Sequence, residues 1–184
     1  MTLGLFGGAF DPPHNGHVAL VKAAKQALGL DRVLVLVSAD PGHKQVDTPV
    51  EGRLALTRLA FPDDDVVVDE HARTVDTLRA HPEWEGAWFL IGADQLEDFA
   101  NWKEPDEVLR RVRLGIATRP GHEVELADPE RMRSFVLEEP VASRHVRERL
   151  DAGEDVSDVI PSAVLGTIER DGLYPRRPSY TQPA

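Results

Sequence analysis

Apolar residues fall along this chain in two rhythms. Short unbroken runs at 3–6, 33–37, 66–68, 87–91, 114–118 and 134–137 read as strands, the fuller ones as strands buried on both faces. Between them apolar positions recur at helical spacing. Val18, Leu20, Val21, Ala24 and Leu28 make one stripe, and Gly29 is placed to stop it. A second helix runs from Val50 to Ala60, with Leu54, Ala55, Leu59 and Phe61 expected inward. A third starts near Thr74, which reads as its N-cap. A short helix precedes Asn101, Pro105 opens another, the stretch Val141–Arg147 opens one that runs to Leu150, and Ile160-Pro161 opens a last one that carries Val164, Leu165 and Ile168 and closes at Gly172. Strand, helix and strand within about 35 residues is a βαβ unit. Its repetition predicts an α/β fold, a doubly wound and mainly parallel sheet with helices on both faces and a C-terminal helical segment. Residues 1–174 read as a single domain without repeats. Residues 122–133 read as an exposed acidic insertion, and 175–184 as a mobile tail.

The residues able to do chemistry follow strands. After the first comes Gly7-Gly8-Ala9-Phe10-Asp11-Pro12-Pro13-His14-Asn15-Gly16-His17. Two glycines let backbone approach a ligand closely. His14 and His17 then stand at a helix mouth, where unpaired N–H groups and partial positive charge suit phosphate. A surface histidine pair is the bland alternative. A metal pair is another, but no third ligand stands at the needed spacing, so no protein-held metal is expected. His43-Lys44 follows the second strand, Asp94 the fourth and Arg119 the fifth. In a parallel sheet those loops share one edge, so the groups converge on one cleft. Taken alone, Asp94 is equally a helix cap and His43-Lys44 a solvated pair; their shared edge is what favours a site. Trp102, set among Asn101, Lys103, Glu104 and Pro105, is expected half exposed, with a face free to stack on a flat ring.

Composition narrows the partners. The formal net charge is −11, from 21 basic and 32 acidic residues among 184. Such a surface repels polynucleotides, so no nucleic-acid partner is expected, and a nucleotide site must gather its own positive groups. The chain contains no cysteine, which removes disulfides and thiolate chemistry and suits a cytoplasmic location. No apolar run reaches bilayer-spanning length and no basic stretch precedes the first strand, so neither a membrane partner nor a leader is expected. A homo-oligomer is compatible with the sequence.

The opening string resembles the G-G-x-F-D-P-x-H-x-G-H signature of the nucleotidylyltransferase superfamily, which implies a Rossmann-like fold. Within it the chain is most similar to the bacterial nicotinate-nucleotide adenylyltransferases. The segments that carry this likeness are His43-Lys44, Thr74-Val75-Asp76-Thr77-Leu78, Ile91-Gly92-Ala93-Asp94, Trp102-Lys103, Arg119-Pro120-Gly121 and Gly172-Leu173-Tyr174. The resemblance implies that ATP and nicotinate mononucleotide are joined into deamido-NAD and pyrophosphate, with Mg²⁺ held mainly by the ATP phosphates. It places His14, His17, Lys44 and Arg147 in catalysis. It assigns Gly7, Gly8, Phe10, Gly92, Arg119 and Ser143 to ATP alongside His14, His17 and Arg147. The acceptor is assigned Gly8, Ala9, Lys44, Asp94 for its ribose, Trp102 for its ring, and backbone N–H groups at Thr74 and Lys103 for its carboxylate.

Departures from the pattern are local. The second signature, Ile-Ser-Ser-Thr/Ser-x-Ile-Arg, here reads Val141-Ala142-Ser143-Arg144-His145-Val146-Arg147. Two hydroxyls are lost, and Arg144 either replaces them or points to solvent. Ala72-Arg73 stands where a Ser-aromatic pair is usual, and Ser38 where proline is common. Open alternatives are a sister enzyme using nicotinamide mononucleotide or phosphopantetheine, and a nucleotide-sensing protein that binds without catalysis.

Overall fold

The computed structural model describes residues 1–42, 46–138 and 142–175. His43, Lys44 and Val141 lie outside them, as does the expected tail beyond Pro175. The chain runs β1 (Leu3–Gly8), α1 (Asn15–Leu28), β2 (Arg32–Ser38), α2 (Val50–Ala60), β3 (Asp65–Asp69), α3 (Thr74–Ala80), β4 (Trp88–Gly92), α4 (Ala93–Glu97), α5 (Pro105–Arg111), β5 (Arg113–Thr118), β6 (Met132–Val136), α6 (Ser143–Ala152) and α7 (Ser162–Asp171). Short 3₁₀ turns at Pro82–Trp84 and Phe99–Asn101 complete it. Among the described residues the sheet has six strands, all parallel, in the order β3-β2-β1-β4-β5-β6. This is the doubly wound arrangement that the alternating runs predict.

Period-two alternation sorts the strand residues onto two cores. Phe6, Val35 and Leu90 face one with α1, α2, α6 and α7. Leu5, Leu36 and Ile91 face the other with α3 and α5. The register places the opening in the sheet. β1 matches β2 over six positions, Leu3 to Gly8. Against β4 it matches only at Gly4–Trp88 and Leu5–Phe89. Beyond that point β1 and β4 part, at the place where the winding reverses, and a cleft opens between their carboxyl ends.

Several expectations shift in detail. Gly7 and Gly8 extend β1 beyond the expected 3–6. β6 starts at Met132, which is 3 % exposed, and Val124 and Leu126 pack on the second core, so part of the acidic 122–133 stretch is inserted into the fold. Asp128 explains the masking polarity, because its backbone and carboxylate accept from residues 130–132 and make the turn into β6.

α2 is rotated from the expected phase. Leu56, Thr57, Ala60 and Phe61 are buried as its end requires, but Leu59 is 40 % exposed, Ala55 is exposed, and Arg53 faces inward at 1 % exposure. Arg53 turns inward because its guanidinium has three carbonyls to bind. Nε donates to Thr48 O at 3.0 Å, and Nη1 donates to Ala9 O at 2.7 Å and Ser38 O at 2.9 Å. It thereby ties the ends of β1 and β2 to the loop between β2 and α2. Burial pulls its pKa down, opposed chiefly by the charge of Asp11.

Arg53→Met is expected to cost about 3 kcal/mol or more, since it leaves three buried carbonyls short of a donor. Leu59→Ser should stay within about 0.5 kcal/mol. Urea unfolding of both variants checks the phase of α2; the reverse ranking would contradict it.

Candidate active site

The cleft occupies about 1130 Å³ beyond the carboxyl ends of the sheet. Its lining joins Gly7, Gly8, Ala9, Phe10, His14 and His17 from the first crossing with Gly92 and Asp94 after β4, Arg119 after β5, and Ser143 and Arg147 from α6. A second recess, about 150 Å³, is lined by Ser38, Asp69, Thr74, Thr77 and Trp102. The two share Gly7, Gly8 and Gln95. The twin glycines are therefore the common floor of two compartments. A Cβ on Gly8 would meet the Phe10 ring at 3.0 Å, so a side chain there would press on the ring that supports His17.

The histidines are held by each other. His14 is the N-cap of α1 and His17 its third residue. Their rings stack at 3.6 Å, with 21° between planes. His17 Nδ1 accepts the His14 backbone N–H at 3.2 Å, which leaves the neutral ring's proton on Nε2 as a donor. Phe10 supports this ring edge-on at 4.9 Å. It is 1 % exposed and holds a φ of +50°, a strained backbone kept in place by its packing on Phe6 and Phe61. The Phe10 side chain is thus a prop beneath His17. His14 is 2 % exposed, and its Nδ1 is the one buried side-chain polar atom without a partner among the described residues. Burial drives its pKa down to about 4. A group this poorly served is poised for something other than stability.

α6 is docked onto the same loop. Ser143 Oγ donates to Pro12 O at 3.2 Å, and Arg147 Nη1 donates to Asp11 O at 2.5 Å. Arg147 also lies 3.4 Å from the Asp47 carboxylate and 3.9 Å from that of Asp11. Arg144 faces solvent and pairs with Glu148 at 3.3 Å. Ala142 occupies the N-cap of α6, so the lost serine is a lost cap.

Elsewhere the site is braced by backbone. Asp94 is exposed in the first turn of α4, and the Gly92 N–H donates to Gln95 Oε1 at 3.1 Å. Thr74 is the first residue of α3 and Arg73 its N-cap, which corrects the expected cap. Thr77 Oγ1 donates to Asp69 at 2.8 Å, steadying that wall. Trp102 is half-buried, edge-on to Phe89 at 6.3 Å and tilted against Phe99 at 5.2 Å. The Lys103 ammonium is drawn away to Asp76, 2.9 Å from each oxygen, so only its backbone remains for a ligand. Lys44 lies outside the described residues. Of the assigned groups among the described residues, all but Lys103 line the two compartments, and Lys103 follows Trp102 at the edge of the second.

Sequence reasoning missed Asp11, Gln95 and His122 in the lining, and Arg53 and Tyr174 as the groups that hold it from behind. Asp11 is 1 % exposed; its Oδ1 accepts from the Tyr174 hydroxyl at 2.6 Å and its Oδ2 from the Asp47 N–H at 2.6 Å. Burial, then that bond to Asp11, push the Tyr174 phenol well above its ordinary range. Asp11 sits inside the quoted motif, but nothing in the sequence joins it to a tyrosine 163 residues away. Among the described residues no group of three His, Asp or Glu side chains could hold a metal ion. The donor set fits a cation that arrives on a polyphosphate rather than one caged by protein.

A cytidylyltransferase-like family model matches residues 5–150. A curated relative from Thermus thermophilus, named "Probable nicotinate-nucleotide adenylyltransferase", is 38% identical over 186 residues, covering 95% of this chain and 100% of the relative. The chain belongs to that family. A relative of the same name from Salinibacter ruber is 34% identical over 194 residues, covering 95% of this chain and 98% of its own. Among solved structures, a Plasmodium falciparum nicotinic acid mononucleotide adenylyltransferase complexed with NaAD matches with a TM-score of 0.78 at 16% identity. That match covers 94% of this chain and 97% of the other, and it shows the family fold retained at low identity.

His14 gives the family member a pH signature. Its folded pKa, about 4, lies below the ordinary 6.5, so between those values the unfolded chain binds a proton that the folded one refuses. Stability is full above pH 6.5 and falls as pH drops towards 4, by about 3 kcal/mol in all from this group. His14→Asn should flatten that part of the profile; urea midpoints across pH 4 to 7 measure it. Separately, Ala142→Ser should raise stability by about 1 kcal/mol by restoring the cap of α6, read as a shift in the same midpoint at pH 7.

Proposed function

We propose that this enzyme transfers the adenylyl group of ATP to nicotinate mononucleotide, giving deamido-NAD and pyrophosphate in the synthesis of NAD. The observation that carries the reading is the pair of compartments sharing the Gly7-Gly8 floor. One is lined by His14, His17, Ser143 and Arg147 and suits the nucleoside triphosphate. The other, walled by Thr74 and Trp102, suits a flat ring with an anionic substituent. Their junction is where the two phosphates would meet.

The acceptor phosphate oxygen attacks the α-phosphorus of ATP. A bond forms between them as the bond from that phosphorus to the bridging oxygen of the β-phosphate breaks, and pyrophosphate carries the electron pair away. The attacking group is already an anion, so no general base is needed. The residues align two polyanions and offset the charge gathering on the transferred and leaving groups. His17 offers its Nε2 proton and the start of α1 offers the Gly16 backbone N–H, since those of Asn15 and His17 donate to Val159 O and His14 O. Arg147 supplies a fixed cation, which exchanges Asp47 for phosphate, and Lys44 adds a second. Asp94 accepts hydrogen bonds from the acceptor ribose. Mg²⁺ bound on the ATP phosphates would supply further charge neutralisation.

Selectivity follows from backbone donors. The N–H groups at Thr74 and Lys103 would serve a carboxylate, whereas a carboxamide would turn an NH₂ towards one of them and leave a buried donor unpaired. The family relationship and the Trp102 wall favour nicotinate over phosphopantetheine. A sensor that binds ATP without turnover is the second reading, favoured by the resting engagement of Arg147 with Asp11 and Asp47 and by the altered second signature.

Pyrophosphate release with ATP and Mg²⁺ should favour nicotinate mononucleotide over nicotinamide mononucleotide by about 100-fold or more in kcat/KM. Phosphopantetheine should be inert. ATP binding with no release from any acceptor would support the sensor instead. His17→Ala should lower kcat by about 100-fold while costing less than about 2 kcal/mol of stability; equal losses in both would count against its role.

A further inference from the structure

Two segments far apart in sequence wall the acceptor recess: the start of α3 at Thr74, and the turn carrying Trp102. The inner side of Trp102 is set by Phe89 and Phe99. Its outer side depends on Lys103 and Glu104, which lead into α5. Glu104 holds a φ of +52°, in the left-handed region that a side chain disfavours. Such a conformation persists only when its surroundings over-determine it.

Here the surroundings are charges of alternating sign. Lys103 Nζ lies 2.9 Å from both oxygens of Asp76 on α3. One helical turn on, Arg79 stands 3.5 Å from Asp76 and forks onto Glu104, Nη1 to Oε1 at 3.1 Å and Nη2 to Oε2 at 2.5 Å. The same guanidinium binds Glu107 through Nε at 3.1 Å and Nη2 at 2.5 Å. Arg111 Nε closes the row on Glu107 at 3.0 Å. Apart from the Asp76–Arg79 step and the closing step along α5, each contact crosses from α3 to the Trp102 turn or to α5. Lys103, Asp76, Arg79 and Glu104 keep substantial contact with solvent, so each pair among them contributes little to folding. Paired forks do fix direction and distance, and that is what this row is built to supply.

We infer that the Lys103–Asp76–Arg79–Glu104 charge ladder is a positioning device that sets the separation of Trp102 from Thr74, and with it the width of the acceptor recess. The inference rests on the adenylyl-transfer reading. Asp76 and Arg79 touch no substrate; they act through the backbone at Lys103 and Glu104 and through the ring of Trp102. The ladder thereby controls acceptor affinity and acceptor choice, and leaves the ATP compartment alone.

Steady-state kinetics on the full chain tests this with Asp76→Asn, Arg79→Met, Glu104→Gln, the Arg79→Met/Glu104→Gln double variant and Asp76→Glu. The KM for nicotinate mononucleotide should rise about tenfold in the three single disruptions, while kcat and the KM for ATP stay within about twofold. Preference over nicotinamide mononucleotide should shrink in step. The double variant should be no worse than Arg79→Met alone, because the two changes remove one shared contact. Asp76→Glu, which keeps the carboxylate, should return the acceptor KM to near the starting value. An unchanged acceptor KM in the variants of a selective enzyme would overturn the inference, as would parallel rises in both KM values or additive effects in the double variant. A parent enzyme with no acceptor turnover would sink the adenylyl-transfer reading itself, and this inference with it, before any variant is compared.

Discussion

The Asp11 carboxylate is the joint from which the site hangs. It is almost wholly buried, and a buried carboxylate needs partners on every side. It finds them in three parts of the chain: the Tyr174 hydroxyl beyond the last helix, the Asp47 amide in the loop after β2, and the neighbouring guanidinium of Arg147 on α6. Its own carbonyl takes a further bond from Arg147. The requirement of one charge thus brings the second-signature helix and the C-terminal segment against the opening loop. His14 and His17 follow directly in chain order, so their placement inherits that anchoring.

Arg53 does the complementary work from below. It binds the carbonyls of Ala9, Ser38 and Thr48, the places where β1, β2 and the following loop would otherwise fray. A cation among carbonyls and an anion among donors are brought near each other by the fold, and the charge of Asp11 offsets part of the cost of burying Arg53. Between them the glycine floor keeps its position while the walls differ in character. The wall of the larger cleft is made of stacked imidazoles and a helix start. The wall of the smaller recess is an indole and a short helix braced by a row of charges.

Much of this could be read from the sequence because its signals are local. The unbroken runs around Val35 and Ile91 named the buried strands, Gly29 marked the end of α1, and the opening string placed His14 and His17 at a helix mouth. The second recess was anticipated only through likeness, and Trp102 was expected half exposed, as it is. What escaped was set by partners distant in sequence. Leu59 looked inward by hydropathy, yet three carbonyls favoured Arg53 and turned the helix. Met132 was hidden by the acids before it, because the turn made by Asp128 leaves no apolar trace. Thr74 has the side chain of a cap, but the backbone enters the helix one residue earlier. Tyr174 has no local signal at all for its bond to Asp11.

The shared floor of Gly7 and Gly8 has a consequence for how such an enzyme can diverge. Gly7 and Gly8 line both compartments, so a change at either one reaches both together. The walls are separable, because the smaller recess is built largely from the crossings after β3 and β4 while most of the larger cleft comes from the first crossing and α6. One compartment can therefore be reshaped around Thr74 and Trp102 with the other held constant. The two halves of the site are inherited through different stretches of the same chain.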